Sequence, residues 1–170
     1  MAKRIITISR EFGSGGRFIG EEVAKQLGIK YYDKDIIAQI AEQSGFSAEY
    51  IEEKAELSPK KGLLAYASGR LCIFKENMVY EAQRKVILEI AEKESCVIIG
   101  RNADFILKDK DNVLNVFIHG DMPEKVARIC KLYNVTEEEA EKMMADIDKR
   151  RMTNYRFYTD QKWGMAKNYI

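Results

Sequence analysis

Proline is almost missing from this chain: Pro59 and Pro123 are the only two in 170 residues, and no serine- or glycine-rich stretch marks a linker. There is no repeat and no low-complexity segment either. The expectation is one domain over residues 1–170, long enough to bury a single core. Cysteine is scarce as well. Cys72, Cys96 and Cys130 are odd in number and lack CxxC spacing, which argues against a disulfide framework or a zinc site and for reduced thiols in the cytoplasm. A lone histidine, His119, cannot build a metal centre, so a structural role is expected of it and no metal-ligating residue is assigned. No apolar run is long enough for a signal or a membrane span. Neither sign of charge is in excess: 28 Lys and Arg against 27 Asp and Glu leave a formal +1. No global field points to nucleic acid or a membrane as partner, and homo-oligomerisation is left open.

Glycine, by contrast, is concentrated in one place. The segment Ile8-Ser9-Arg10-Glu11-Phe12-Gly13-Ser14-Gly15-Gly16-Arg17-Phe18-Ile19-Gly20 follows the strand-like run Ile5-Ile6-Thr7-Ile8 and leads into the helix-like spacing Ile19, Val23, Ala24, Leu27. Strand, glycine turn, then helix is the arrangement that cradles phosphate, because glycine lets the backbone approach an anion and the free N–H groups of the helix start point at it. A tight turn for steric reasons alone would need fewer glycines, and none of Ser14, Arg10 and Arg17. Against the pattern Gly-x4-Gly-Lys-[Ser/Thr] the segment is degenerate: Glu11 replaces the first glycine, Gly16 is kept, Arg17 replaces lysine and Phe18 the hydroxyl. Gly13, Ser14, Gly15, Gly16 and Arg17 are the expected phosphate site.

Strands are expected over Arg4–Ser9, Lys30–Tyr32, Cys96–Gly100 and Val113–Ile118, the last two reading as buried strands of a parallel sheet. Helices are expected over Glu21–Leu27, Lys34–Gln43, Lys75–Lys93, Pro123–Tyr133 and Thr136–Arg151. Asp121 is a candidate cap, and Thr136-Glu137-Glu138-Glu139 a capping box. Pro59-Lys60-Lys61-Gly62 reads as a solvated break between helices. Strands alternating with helices imply an open α/β sheet whose ligands lie at the strands' carboxyl ends.

Three other places could carry chemistry. Asp33 follows Tyr31-Tyr32 and should emerge at the same sheet edge as the glycine loop, as a helix cap, a ligand contact or both. Gly100-Arg101-Asn102 follows the third strand and would place a guanidinium able to hold phosphate bidentately. Asp146-Ile147-Asp148-Lys149-Arg150-Arg151, with Tyr155-Arg156-Phe157-Tyr158 and Trp163 beyond, reads as a helical lid over about 146–165 whose arginines close over a polyphosphate. A mixed-charge surface helix is the plainer reading, and nucleic-acid binding has only this cluster behind it.

Taken together, Ser9–Arg17, Tyr31-Tyr32-Asp33, Val97-Ile98-Ile99-Gly100-Arg101 and the spacing of Asp148, Arg151, Tyr155 and Trp163 resemble the cytidylate kinase-like family of P-loop nucleoside monophosphate kinases. The resemblance implies a parallel five-stranded sheet with helices on both faces. It implies transfer of the ATP γ-phosphate to a nucleoside monophosphate or similar small acceptor, with Mg²⁺ as cofactor. ATP would lie on Gly13–Arg17 and the acceptor near Asp33 and Arg101, and Arg17, Arg150 and Arg151 would act on the transferring phosphoryl. The chain departs from the family pattern at several places. Arg17 stands for lysine, Ile19 for a hydroxyl, and Lys34 and Gln39 for a serine and an arginine. Ile99-Gly100-Arg101-Asn102 stands for Asp-Gly-Arg-Asp, and the family usually continues past the lid with another strand and helix, so the expectation is either a sequence truncated after Ile170 or an incomplete base-binding wall. These departures keep a second expectation alive, a degenerate nucleotide- or phosphate-binding module without transfer.

Overall fold

The computed structural model describes residues 3–54 and 69–169. Strand β1 (Ile5–Arg10) runs through the glycine loop into helix α1 (Gly16–Leu27). After β2 (Lys30–Tyr32) come α2 (Lys34–Ser44), α3 (Ala48–Lys54) and α4 (Gly69–Lys93). Then follow β3 (Cys96–Ile99), the single turn α5 (Ala103–Ile106), β4 (Val113–Ile118), α6 (Met122–Tyr133) and α7 (Glu137–Thr159), with a 3₁₀ turn at Ala166–Asn168.

All strand pairs are parallel, in the order β2-β3-β1-β4. The resemblance implied five strands; among the described residues the sheet has four. Pleating alternates the side chains of β1 and β3 between two faces. Ile5, Cys96 and Ile98 turn to one face, where Ile36, Ile40, Ile51, Val86 and Ile87 from α2, α3 and α4 cover them. Ile8, Val97 and Ile99 turn to the other, against Ala24 of α1. Helices therefore cover both faces, as expected. All four residues of β3 are buried, which is why that strand reads as a continuous apolar run.

Several boundaries differ from the sequence reading. α1 begins at Gly16, five residues before the expected start, because the arginine and glycines of its first turn hide the helical spacing. α7 continues past Arg151 to Thr159, and the Thr136 capping box opens it as expected. α4 begins at Gly69. Asp121 and Asp33 occupy cap positions, but neither carboxylate caps its helix. Pro59–Gly62 lies outside the described residues.

The register places Ile8 opposite Ile99 and Arg10 opposite Ile118, so β1, β3 and β4 end at one edge. Helices α6 and α7 pack on each other beside that edge through Val126, Ile129, Ala140 and Met144, with Phe12 of the glycine loop against them.

Candidate functional site

The glycine loop turns twice through the left-handed region, at Gly13 (φ 82°) and Gly15 (φ 84°). A β-carbon at Gly13 would sit 2.8 Å from the Ile129 side chain and 3.1 Å from the Lys125 carbonyl, and one at Gly16 would sit 2.7 Å from the Arg10 side chain. Packing as well as backbone conformation therefore asks for glycine here. No side chain caps α1, so its first N–H groups open toward the loop with no intrahelical acceptor. Those donors and the positive end of a twelve-residue helix favour an anion.

Glu11, in place of the first loop glycine, braces the turn. Its carboxylate accepts from Lys125 Nζ at 2.8 Å and the Gly120 amide at 3.3 Å, and lies 3.2 Å from His119 Nδ1. Desolvation works against its charge, but the bonds from Lys125, His119 and Gly120 prevail and hold its pKa below the ordinary glutamate value. Ser14 turns its hydroxyl back to the Glu11 carbonyl, 2.9 Å away.

From the loop opens a cleft of about 410 Å³, lined among others by Arg10, Gly13, Gly15, Gly16, Arg17, Asp33, Arg101, Arg128 and Arg151. The structure thus brings Arg17, Asp33, Arg101 and Arg151 to one cleft with Gly13, Gly15 and Gly16, while Ser14 is not among its lining residues. Arg150 is not among the lining residues. One face of the cleft is apolar, with Phe12, Leu132, Tyr133 and Ile147; the Phe12 and Tyr133 ring centroids are 5.8 Å apart.

The Arg17 side chain reaches to the end of β2. Its Nε lies 2.7 Å from Asp33 Oδ2, while the Tyr31 hydroxyl donates to its carbonyl at 3.3 Å. The Asp33 oxygen has no aligned hydrogen bond; the contact is an ion pair, and at this distance Coulomb attraction governs it. Desolvation lowers the pKa of Arg17, but Asp33 and Tyr31 outweigh it and the net shift is upward.

A residue that sequence reasoning missed stands over the loop. Arg128 of α6 donates to the Gly13 carbonyl, and its Cζ lies 3.6 Å from where a Gly15 β-carbon would be. No motif marks it. The available signal was its place on the amphipathic helix, one residue before buried Ile129 and three after buried Lys125.

Arg101 is 4% exposed and held with φ 61°, beside Asn102 at φ 54°. Gln83 Nε2 fixes its carbonyl at 2.8 Å, so α4 as well as β3 sets its position. Helix α7 is fastened at three points, to the loop, to the end of β1 and to α5. Asp148 accepts from the Phe12 amide at 2.8 Å, Arg151 donates to the Arg10 carbonyl at 3.2 Å, and the Tyr155 hydroxyl donates to Asp104 at 2.8 Å. Burial pushes Asp148 above the usual aspartate value, though the Phe12 amide and Arg151 pull the other way. Asp104 is raised by burial too, against its bond from Tyr155.

Known proteins resemble this chain in sequence and in fold. The model of the cytidylate kinase-like family matches residues 5–169. The cytidylate kinase of Pyrococcus horikoshii is 28% identical over 157 residues, covering 92% of this chain and 70% of that protein. A crystal structure of an uncharacterized protein from Eubacterium ventriosum is 30% identical with a TM-score of 0.74, covering 98% of this chain and 84% of the other. The shikimate kinase structure from Bacteroides thetaiotaomicron shares the fold at 18% identity, with a TM-score of 0.54 and 92% and 83% of the two chains covered.

Proposed function

This chain belongs to the cytidylate kinase-like family, and on that premise we propose that it transfers the γ-phosphoryl group of ATP to a nucleoside monophosphate or similar small acceptor. One observation carries the reading: a glycine loop with an arginine lying on it opens into the same cleft as Asp33, Arg101 and Arg151. Phosphoryl transfer asks little covalent chemistry of a protein, and positioning with charge neutralisation supplies most of the rate. The nucleotide phosphates lie on Gly13, Ser14, Gly15 and Gly16 under Arg128. The nucleobase has the apolar face of Phe12 and Tyr133. The acceptor lies toward Asp33 and Arg101, and Arg151 is the arginine of α7 that faces the reaction, with Arg150 outside the lining.

Mg²⁺ would neutralise the β- and γ-phosphates, but the side chains at the loop do not fit it as ligands. Ile19 is apolar, Ser14 Oγ is turned to the Glu11 carbonyl, and the Glu11 carboxylate is held by Lys125. The ion comes as the nucleotide's own counter-ion, and no step is assigned to it.

The turned-in Ser14 and the apolar Ile19 favour a second reading, a module that binds nucleotide without transferring phosphate. One assay separates the two: the protein is incubated with ATP, Mg²⁺ and a panel of nucleoside monophosphates, and ADP is followed. A kinase forms ADP at a rate that saturates with one acceptor. Nucleotide binding without acceptor-stimulated turnover leaves the binding module.

A further inference from the structure

Arg17 and Arg128 divide the cleft between them in a way the loop motif does not foretell. A cation just after the last loop glycine ordinarily serves the nucleotide, yet the Arg17 guanidinium is engaged at the end of β2. Its Nε is 2.7 Å from Asp33, and Tyr31 holds its backbone. The space directly above Gly13 and Gly15 belongs instead to Arg128. The geometry points to Arg17 as a specificity residue for the acceptor: Asp33 holds its Nε so that the Nη groups, with Arg101, receive the acceptor's anionic group, while Arg128 serves the nucleotide phosphates.

The chemistry of the two cations explains why arginine stands at this position. A lysine paired with Asp33 would spend its one ammonium there. A guanidinium held through Nε still has the four donors of its two Nη groups, in a planar fork that matches a phosphate. The pair also solves a charge problem. Asp33 is 7% exposed and faces the cleft, so an uncompensated carboxylate there would repel an anionic acceptor in a setting that screens poorly. Arg17 cancels it, and buried Arg101 lines the same cleft. The acceptor class that follows is a small molecule with a phosphate or similar anion, in preference to a neutral polyol. This assignment rests on the reading of the cleft as a phosphoryl-transfer site.

Calorimetric titration of the whole protein with AMP-PNP plus Mg²⁺, and separately with CMP as acceptor probe, tests it. Arg17→Ala should raise the dissociation constant of CMP at least about tenfold, the loss of one charged hydrogen-bond partner, and change that of AMP-PNP less than about threefold. Arg17→Lys should also weaken CMP, because the ammonium stays on Asp33. Arg128→Ala should show the reverse pattern. The double variant Arg17→Ala, Asp33→Asn removes the stranded carboxylate and should recover at least about threefold of the CMP affinity lost in Arg17→Ala. AMP-PNP weakened by Arg17→Ala as much as CMP, or a double variant no better than the single one, overturns the division of roles and leaves the kinase reading standing. A wild-type protein that binds AMP-PNP but not CMP overturns the acceptor half. Wild-type protein that binds neither overturns the phosphoryl-transfer reading, and this inference with it.

Discussion

Single residues fix the shape of the glycine loop before any ligand arrives. Gly13 combines a φ of 82° with two groups of α6, the Ile129 side chain and the Lys125 carbonyl, crowding the place of the missing β-carbon. Gly13→Ala should therefore destabilise the protein by about 1–3 kcal/mol, from left-handed strain and displacement of Ile129. Urea unfolding of the two proteins measures it, and equal midpoints with equal slopes would refute the packing argument. Glu11 makes a second test. Its folded pKa lies below the ordinary value of 4.5, so its bonds to Lys125 and Gly120 contribute stability that is full above the unfolded pKa and is lost as pH falls through the folded one. The stability lead of wild type over Glu11→Gln should be complete at pH 6 and shrink below about pH 4. A lead of the same size at both would show that the carboxylate's charge is not what holds the turn. Both residues stand out in the sequence, as a glycine in a glycine run and a departure from a motif. Arg128 does not, because its role depends on where α6 crosses the loop. The Arg17–Asp33 pair is equally hidden, since the two residues belong to different elements and meet only when β2 docks beside β3.

Among the elements, the strands were the most legible and α7 the least. Cys96–Ile99 and Val113–Ile118 announce themselves as short apolar runs between polar segments, and both are strands, but only the first is buried: β4 is an edge strand with Leu114 58% exposed. The glycine loop with its flanking strand and helix was equally plain, although α1 takes in Gly16-Arg17-Phe18, which sequence spacing assigns to the turn. α7 is mostly polar. Its second half is held by side-chain bonds rather than by an apolar stripe, so hydrophobic periodicity loses it after Arg151 while the helix continues to Thr159. Those bonds make a prediction about the element. Tyr155 is 2% exposed and its hydroxyl donates to buried Asp104. Tyr155→Phe leaves that carboxylate short of a donor, at a cost of about 1–3 kcal/mol. Chemical denaturation should show the loss, and hydrogen exchange should show it concentrated in the Tyr155–Thr159 end of α7. Uniform loss across the whole chain would mean that the bond does not anchor the helix.

For the molecule as a whole, the order β2-β3-β1-β4 has a consequence in time. The strand that carries the phosphate loop is the first of the four in the chain and stands at the centre of the sheet, between partners that come much later. Where β1 enters the sheet, Arg4 meets Ser95 across 91 residues; within it, Thr7 meets Asn115 across 108. At a synthesis rate of about 5–20 residues per second, Ile5-Ile6-Thr7-Ile8 leaves the ribosome with neither neighbour made and waits roughly 5–20 s for the first of them. Non-local parallel pairing of this kind is slow to form and leaves an apolar strand open to wrong partners in the meantime. Chains truncated after Lys110 and released from the ribosome should therefore be cut by protease at the glycine loop, and released chains ending at Gly164 should be protected there. Protection already present at Lys110 would mean that β1 finds its place with β3 alone. Translation thus makes the phosphate loop before its sheet partners and completes it late, so a defect in β4 or α6 would reach the cell as a misassembled phosphate loop.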